Sequence, residues 1–263
     1  TYTGNGDPND LSTTANGYIT ADQFVELVKY ADNLGIEIIP EIETPGHARA
    51  VIYSMKNRYN KYINTDRKKA EEFIVWDTED TTSYVSAQGY SDNVLNLALP
   101  GTYRFVKLVI DELDAMYAKA GVKLKTIHLG GDEVADGAWN NSPAIKRMMK
   151  TNGYSKVRQI EEYYLDKITE YMSYKGIKAG AWQESAMKHP KEFHDKISKR
   201  LYMINGWQTI GSRDSIPYHI ANNGYPVILS NANNFYLDFM YSRHQEEPGH
   251  NWGGVVDEFA SWE

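Results

Sequence analysis

Apolar residues recur at helical spacing, give way to a short apolar run, and the alternation repeats along the chain. Phe24, Leu27, Val28, Ala31 and Leu34 fall on one helical face. Thr20, with Gln23 three residues on, forms a capping-box start, and Gly35 supplies the stop. Ile36-Glu37-Ile38-Ile39-Pro40 then reads as a buried strand. The unit returns three times. Residues 103–120 carry Val106, Val109, Ile110, Leu113, Met116 and Tyr117 on one face, close at Gly121, and lead to a strand over 126–130. Residues 155–175 present Val157, Ile160, Tyr164, Ile168 and Met172, stop at Gly176, and lead to a strand over 177–182. After a strand at 201–207, a short helix over 215–223 precedes a last strand at 226–230.

Helix-then-strand repetition predicts right-handed parallel units rather than a sandwich. Polar and aromatic residues cluster just after the predicted strands, at 43–47, 131–133, 182–184, 207–208 and 231–238. Parallel α/β folds build their sites at that end of the sheet. No GxGxxG follows a strand, so the expectation is a (β/α)8 TIM barrel and not a dinucleotide fold. The stretch 48–100 is too long for one connection: 48–59 and 66–73 read as helices, 77–96 as irregular loop. No linker divides the chain, so residues 1–263 are expected to act as one domain with that insertion.

Composition narrows the chemistry. Acids outnumber Lys and Arg by 35 to 28, against a nucleic-acid partner, which a basic stripe would announce. No run nears the roughly 18 apolar residues of a membrane helix. With no cysteine, disulfides, thiolate metal sites and a thiol nucleophile are excluded. Aromatics reach 13%, many in polar settings such as GAWQES and NNFYLDF. Flat apolar faces beside polar groups suit sugar rings, although aromatics also fill cores.

Two motifs carry candidate chemistry. His128-Leu129-Gly130-Gly131-Asp132-Glu133 ends a strand, with two glycines permitting close backbone approach before adjacent carboxylates. On an extended backbone Asp132 and Glu133 point opposite ways, so each would take its own role, one of them general acid. The bland alternative is a helix cap. Pro40-Glu41-Ile42-Glu43-Thr44-Pro45-Gly46-His47 ends another strand, and His47 either couples to a carboxylate or is an inert loop histidine. His47, His128, Asp132 and Glu133 could also compose a metal site. No HxH or HExxH spacing supports one, His128 is expected to pack inward, and no metal or cofactor is expected.

IEIIPEIETPGHARA, HLGGDEV, AWQES, INGWQ and LSNANNFYLDF, in that order, resemble the β-N-acetylhexosaminidases of family 20 glycoside hydrolases, especially their bacterial chitobiase-like branch. SAQGYSDNVLNLALPGTYRF resembles that branch too, so the likeness covers nearly the whole chain. It implies a (β/α)8 barrel and a retaining exo-glycosidase acting on oligosaccharides or glycoconjugates with terminal β-linked N-acetylhexosamine. Glu133 would be the acid/base and Asp132 the partner of the substrate's own acetamido nucleophile. Tyr236 would bind the acetamido carbonyl, Trp182 and Trp207 would wall its methyl group, Asp238 would hold a sugar hydroxyl, and His47 would couple to the acid. Trp139 would either stack on the leaving sugar or cover a loop. An extracytoplasmic setting in a bacterium is also implied.

The likeness departs at the ends. The family's first two strands, with a sugar-binding arginine and a histidine- and aspartate-bearing segment, would precede Thr1, and its eighth would follow Glu263. The chain is therefore expected to carry strands three to seven, with Trp262 and Glu263 outside the site. Glu43 stands where many relatives have Asp. A non-catalytic sugar-binding module on the same scaffold, or an inactive fragment of the same barrel, is the competing expectation.

Overall fold

The computed structural model describes residues 17–262. Two compact units divide the chain, the smaller formed by residues up to Ile38 together with Asp111–Leu124. In that unit α1 (Ala21–Asn33) starts at the expected capping box. Gln23 N donates to Thr20 Oγ1 at 3.2 Å and Thr20 N to Gln23 Oε1 at 2.9 Å. Val25, Val28 and Ala31 are buried, and Phe24 meets Tyr117 edge-on at 6.0 Å. Leu27 and Leu34, expected on the same face, are exposed.

The larger unit holds a four-stranded parallel sheet in the order β1 (Thr126–His128), β2 (Lys178–Trp182), β3 (Leu201–Gly206) and β4 (Val227–Leu229). Four of the five predicted strands thus form, each followed in sequence by a helix. The run at 36–42 forms no strand of its own. It touches β1 through one parallel bridge, Glu41 to His128, flanked by Ile42 N to His128 O and His128 N to Pro40 O, both 2.9 Å. Pro40 has no N–H to extend the ladder.

Ile127, Ala179, Ala181, Leu201 and Ile204 give the sheet its buried side chains. Helix α6 (Arg158–Tyr174) packs on β2 and buries Ile160, Tyr164, Ile168 and Met172, close to the predicted face. Helix α4 (Pro100–Ala120) begins three residues before its predicted start, and its second half belongs to the smaller unit. The long insertion forms α2 (Arg49–Tyr62), α3 (Arg67–Glu71) and an irregular 77–96, around a small core of Ala48, Ile52, Val75 and Leu95. Sequence periodicity missed α5 (Pro143–Asn152) and α7 (Lys191–Ile197). The remaining helices, α8 (Ile216–Asn222) and α9 (Ala232–Phe235), flank β4.

Candidate active site

At the carboxyl ends of the strands a cleft of about 790 Å³ is lined by Glu41, Glu43, His47, Asp132, Glu133, Trp182, Trp207, Tyr236 and Asp238, among others. That is the size range of small-molecule sites. Seven of the eight residues singled out from the sequence therefore meet, from five strand-like segments: the loops after 36–42, β1, β3 and β4, and the last residue of β2. Trp139 does not join them. It is buried, and its indole N–H donates to Leu95 O at 3.0 Å, so it is a core residue tied to the insertion with no face to offer a sugar.

The cleft is centred on His47. Its Nε2 lies 3.3 Å from Asp132 Oδ2 and 3.4 Å from Glu133 Oε2. Hydrogen bonding to these two carboxylates holds the imidazolium up to about 10, so at neutral pH His47 is charged. The convergence corrects the expectation that the adjacent acids point apart. Glu133 sits at φ 48° and His47 at φ 49°, left-handed conformations that bring both carboxylates round to one nitrogen. Such backbone is uncommon outside glycine and persists where surrounding structure enforces it. The ligand atoms of His47, Asp132 and Glu133 lie within 4.8 Å of one another, near enough for an ion on distance alone. Here a single ring nitrogen faces both carboxylates, which suits a shared proton rather than a metal.

The two glycines have defined neighbours. Gly130, at φ 68°, lies where a Cβ would fall 2.7 Å from Glu43 Cδ and 3.0 Å from Glu43 Cα. A Cβ on Gly131 would collide with Ser185 Oγ. Thr44 locks the opposite loop, donating to Leu129 O at 3.0 Å and accepting from Tyr164 Oη at 2.8 Å.

Trp182 and Trp207 are each pinned by an acid that sequence reasoning missed. Trp182 Nε1 donates to Glu41 Oε1 at 2.8 Å, and the same oxygen takes His128 Nδ1 at 2.9 Å. His128 is buried as expected, but as a hydrogen-bonding partner and not only as packing. That contact, larger than the cost of burial, holds Glu41 down to about 2. Trp207 Nε1 lies 3.2 Å from both oxygens of Glu184, whose burial pushes it up to about 7. Trp207 stacks parallel to Tyr236 at 6.3 Å, and Trp252 stands edge-on to both. Burial raises the Tyr236 phenol, which stays protonated as a donor. Gln183, fully buried, accepts from Trp207 N at 2.9 Å and Gln208 N at 3.0 Å, tying the loops after β2 and β3 together.

The family model of the glycosyl hydrolase family 20 catalytic domain matches residues 2–263. The chain belongs to glycosyl hydrolase family 20. Among its relatives, beta-hexosaminidase B of Pseudoalteromonas piscicida is 32% identical over 94% of this chain and 31% of its own length. The beta-hexosaminidase of Vibrio furnissii is 33% identical over 94% and 35%. In structure, the family 20 exo beta-N-acetylglucosaminidase of Vibrio harveyi, solved with N-acetylglucosamine, superposes with a TM-score of 0.77 at 29% identity, over 94% of this chain and 34% of that one. The family 20 chain described here thus spans about a third of the length of these relatives. Among the described residues no helix is long and apolar enough to cross a membrane.

Proposed function

We propose that this chain carries the catalytic centre of a retaining exo-acting glycoside hydrolase that removes terminal β-linked N-acetylglucosamine or N-acetylgalactosamine. The observation that carries the reading is His47 held between Asp132 and Glu133 inside a cleft walled by Trp182, Trp207 and Tyr236. Relatives named as hexosaminidases support the substrate class.

In the first step Glu133 gives a proton to the glycosidic oxygen as the bond to the leaving group breaks. The substrate's acetamido oxygen attacks the anomeric carbon and closes an oxazolinium ring. No second protein carboxylate at nucleophile distance is needed in this substrate-assisted scheme. Asp132 accepts from the acetamido N–H and offsets the positive charge that develops there, while Tyr236 donates to the acetamido oxygen. Trp182 and Trp207 enclose the methyl group, and Asp238 holds a sugar hydroxyl. In the second step Glu133 takes a proton from water, which opens the ring with net retention. His47, charged and touching both carboxylates, keeps their orientation fixed through both steps.

On this reading residues 1–263 are part of one (β/α)8 catalytic domain, with the four strands and the segment before α2 as its strands three to seven. The enzyme works outside the bacterial cytoplasm on oligosaccharides or glycoconjugates. The test is hydrolysis of a chromogenic β-N-acetylglucosaminide beside the matching plain β-glucoside, with and without chelator. Turnover of the first alone, unaffected by chelator, is expected. Efficient cleavage of the glucoside overturns substrate assistance.

A further inference from the structure

Two carboxylate oxygens in the cleft are buried with no hydrogen-bond donor: Glu43 Oε2 and Asp132 Oδ1. An ionised carboxylate only accepts, so two of them facing each other cannot satisfy one another. The ring nitrogens His47 Nδ1 and His128 Nε2 are themselves buried without a partner, and the remaining neighbouring donors are committed elsewhere. His47 Nε2 faces Asp132 through its other oxygen, Oδ2, and faces Glu133 through Oε2. His128 Nδ1 and Trp182 Nε1 both serve Glu41 Oε1. Among the described residues no lysine or arginine pairs with Glu43. Yet Glu43, Asp132 and Glu41 line the same cleft, and both neighbouring carboxylates act on the Glu43 carboxyl.

One proton resolves both vacant acceptors. We propose that Glu43 is a positioning residue which carries a proton and donates it in a hydrogen bond to Asp132 Oδ1, leaving Asp132 charged and fixed in orientation. Glu41 competes for that proton, but its Oε1 already receives an imidazole and an indole, whereas Asp132 Oδ1 has no donor. Burial, followed by the negative charges of Glu41 and Asp132, pushes Glu43 up to about 9, in the same sense. Gly130 makes the approach possible, since a side chain there would occupy the space of the Glu43 carboxyl. The inference rests on the role given above to Asp132: a carboxylate that must meet an acetamido N–H works best when its other oxygen is already tethered.

The experiment uses the full chain and two variants. Glu43→Gln keeps shape and a donor but cannot ionise, whereas Glu43→Met keeps bulk without a donor. In the infrared at about pH 8, where ordinary carboxylates are ionised, the wild-type chain should show the carbonyl stretch of an un-ionised carboxylic acid, and Glu43→Gln should lose it. Glu43→Gln should keep kcat within about threefold, while Glu43→Met, which strands a buried acceptor, should lose on the order of 10- to 100-fold. The fall in kcat as Glu43 ionises near pH 9 should be missing in Glu43→Gln. Equal losses in the two variants, or no such infrared band in an active wild-type chain, overturn the inference alone. A band that persists in a correctly folded chain without hydrolytic activity overturns the hydrolase reading alone.

Discussion

Replacing Gly130 with Ala tests how the cleft is assembled, because the same backbone angle recurs at a position without neighbours. Gly130 has φ 68°, and an added Cβ would meet Glu43 Cδ at 2.7 Å and Glu43 Cα at 3.0 Å. Gly153 has φ 67°, and nothing lies within 4 Å of its Cβ position. Both alanine variants bear the left-handed backbone penalty, about 1–2 kcal/mol. Only Gly130→Ala adds overpacking, about 1–3 kcal/mol. The Glu43 carboxyl could swing aside, but Glu43 Cα belongs to a segment tied to β1 at His128 and Leu129, so the backbone contact remains. Urea unfolding should therefore find Gly130→Ala less stable than Gly153→Ala by about 1–3 kcal/mol. Turnover should fall only in Gly130→Ala, because only there is Glu43 displaced. Equal destabilisation by the two substitutions would refute the packing argument.

Glu133→Gln should slow hydrolysis of substrates with poor leaving groups by about 100-fold or more, and of acidic leaving groups much less, measured as kcat on the two series; equal losses remove Glu133 from the acid role. Asp132→Asn and Tyr236→Phe should each lower kcat on N-acetylglucosaminides while the fold, followed by circular dichroism, is retained; unchanged kcat would detach them from the acetamido group. The His47 pKa is raised from 6.5 to about 10 on folding. Its stabilising contribution is therefore complete below about pH 6.5 and lost as pH rises through 10. Urea titrations at pH 6 and pH 10 should show a smaller alkaline loss of stability in His47→Gln than in wild type.

Local signals were legible and non-local partnerships were not. The Thr20–Gln23 cap and the Gly35 stop lie within one turn of the helix they bound, so adjacent residues encode them. Strands β1 to β4 announced themselves as short apolar runs between turn residues, even though β4 leaves Ile228 and Leu229 exposed. The segment at 36–42 has the same apolar run yet forms a single bridge, since its ladder depends on partners that local sequence does not describe. Ser142 and Pro143 were a readable start for α5, with Ser142 Oγ accepting from Ile145 N, but only Ala144 and Ile145 bury and the helical period stayed faint. Glu41 and Glu184 became visible as anchors of Trp182 and Trp207 only when the sheet was assembled. Trp139 shows the reverse: an aromatic in a polar loop looks available to a ligand until Leu95, 44 residues away, takes its indole N–H.

The double acceptance by Gln183 bears on how this cleft can change over evolutionary time. The loop after β3 is fastened to Gln183 chiefly by two main-chain N–H groups, at Trp207 and Gln208, at 2.9 and 3.0 Å, while the side chain of Gln208 adds only a longer contact, accepting from Gln183 Nε2 at 3.5 Å. The side chain at 208, which lines the cleft, can thus vary at the cost of that one longer contact, with both main-chain ties to the loop that carries Trp207 kept. Variation at 183 is a different matter, because removing its carbonyl strands two N–H groups at once. A lineage drifting toward new sugars could explore position 208 while position 183 stays fixed, and a designed library should be drawn the same way.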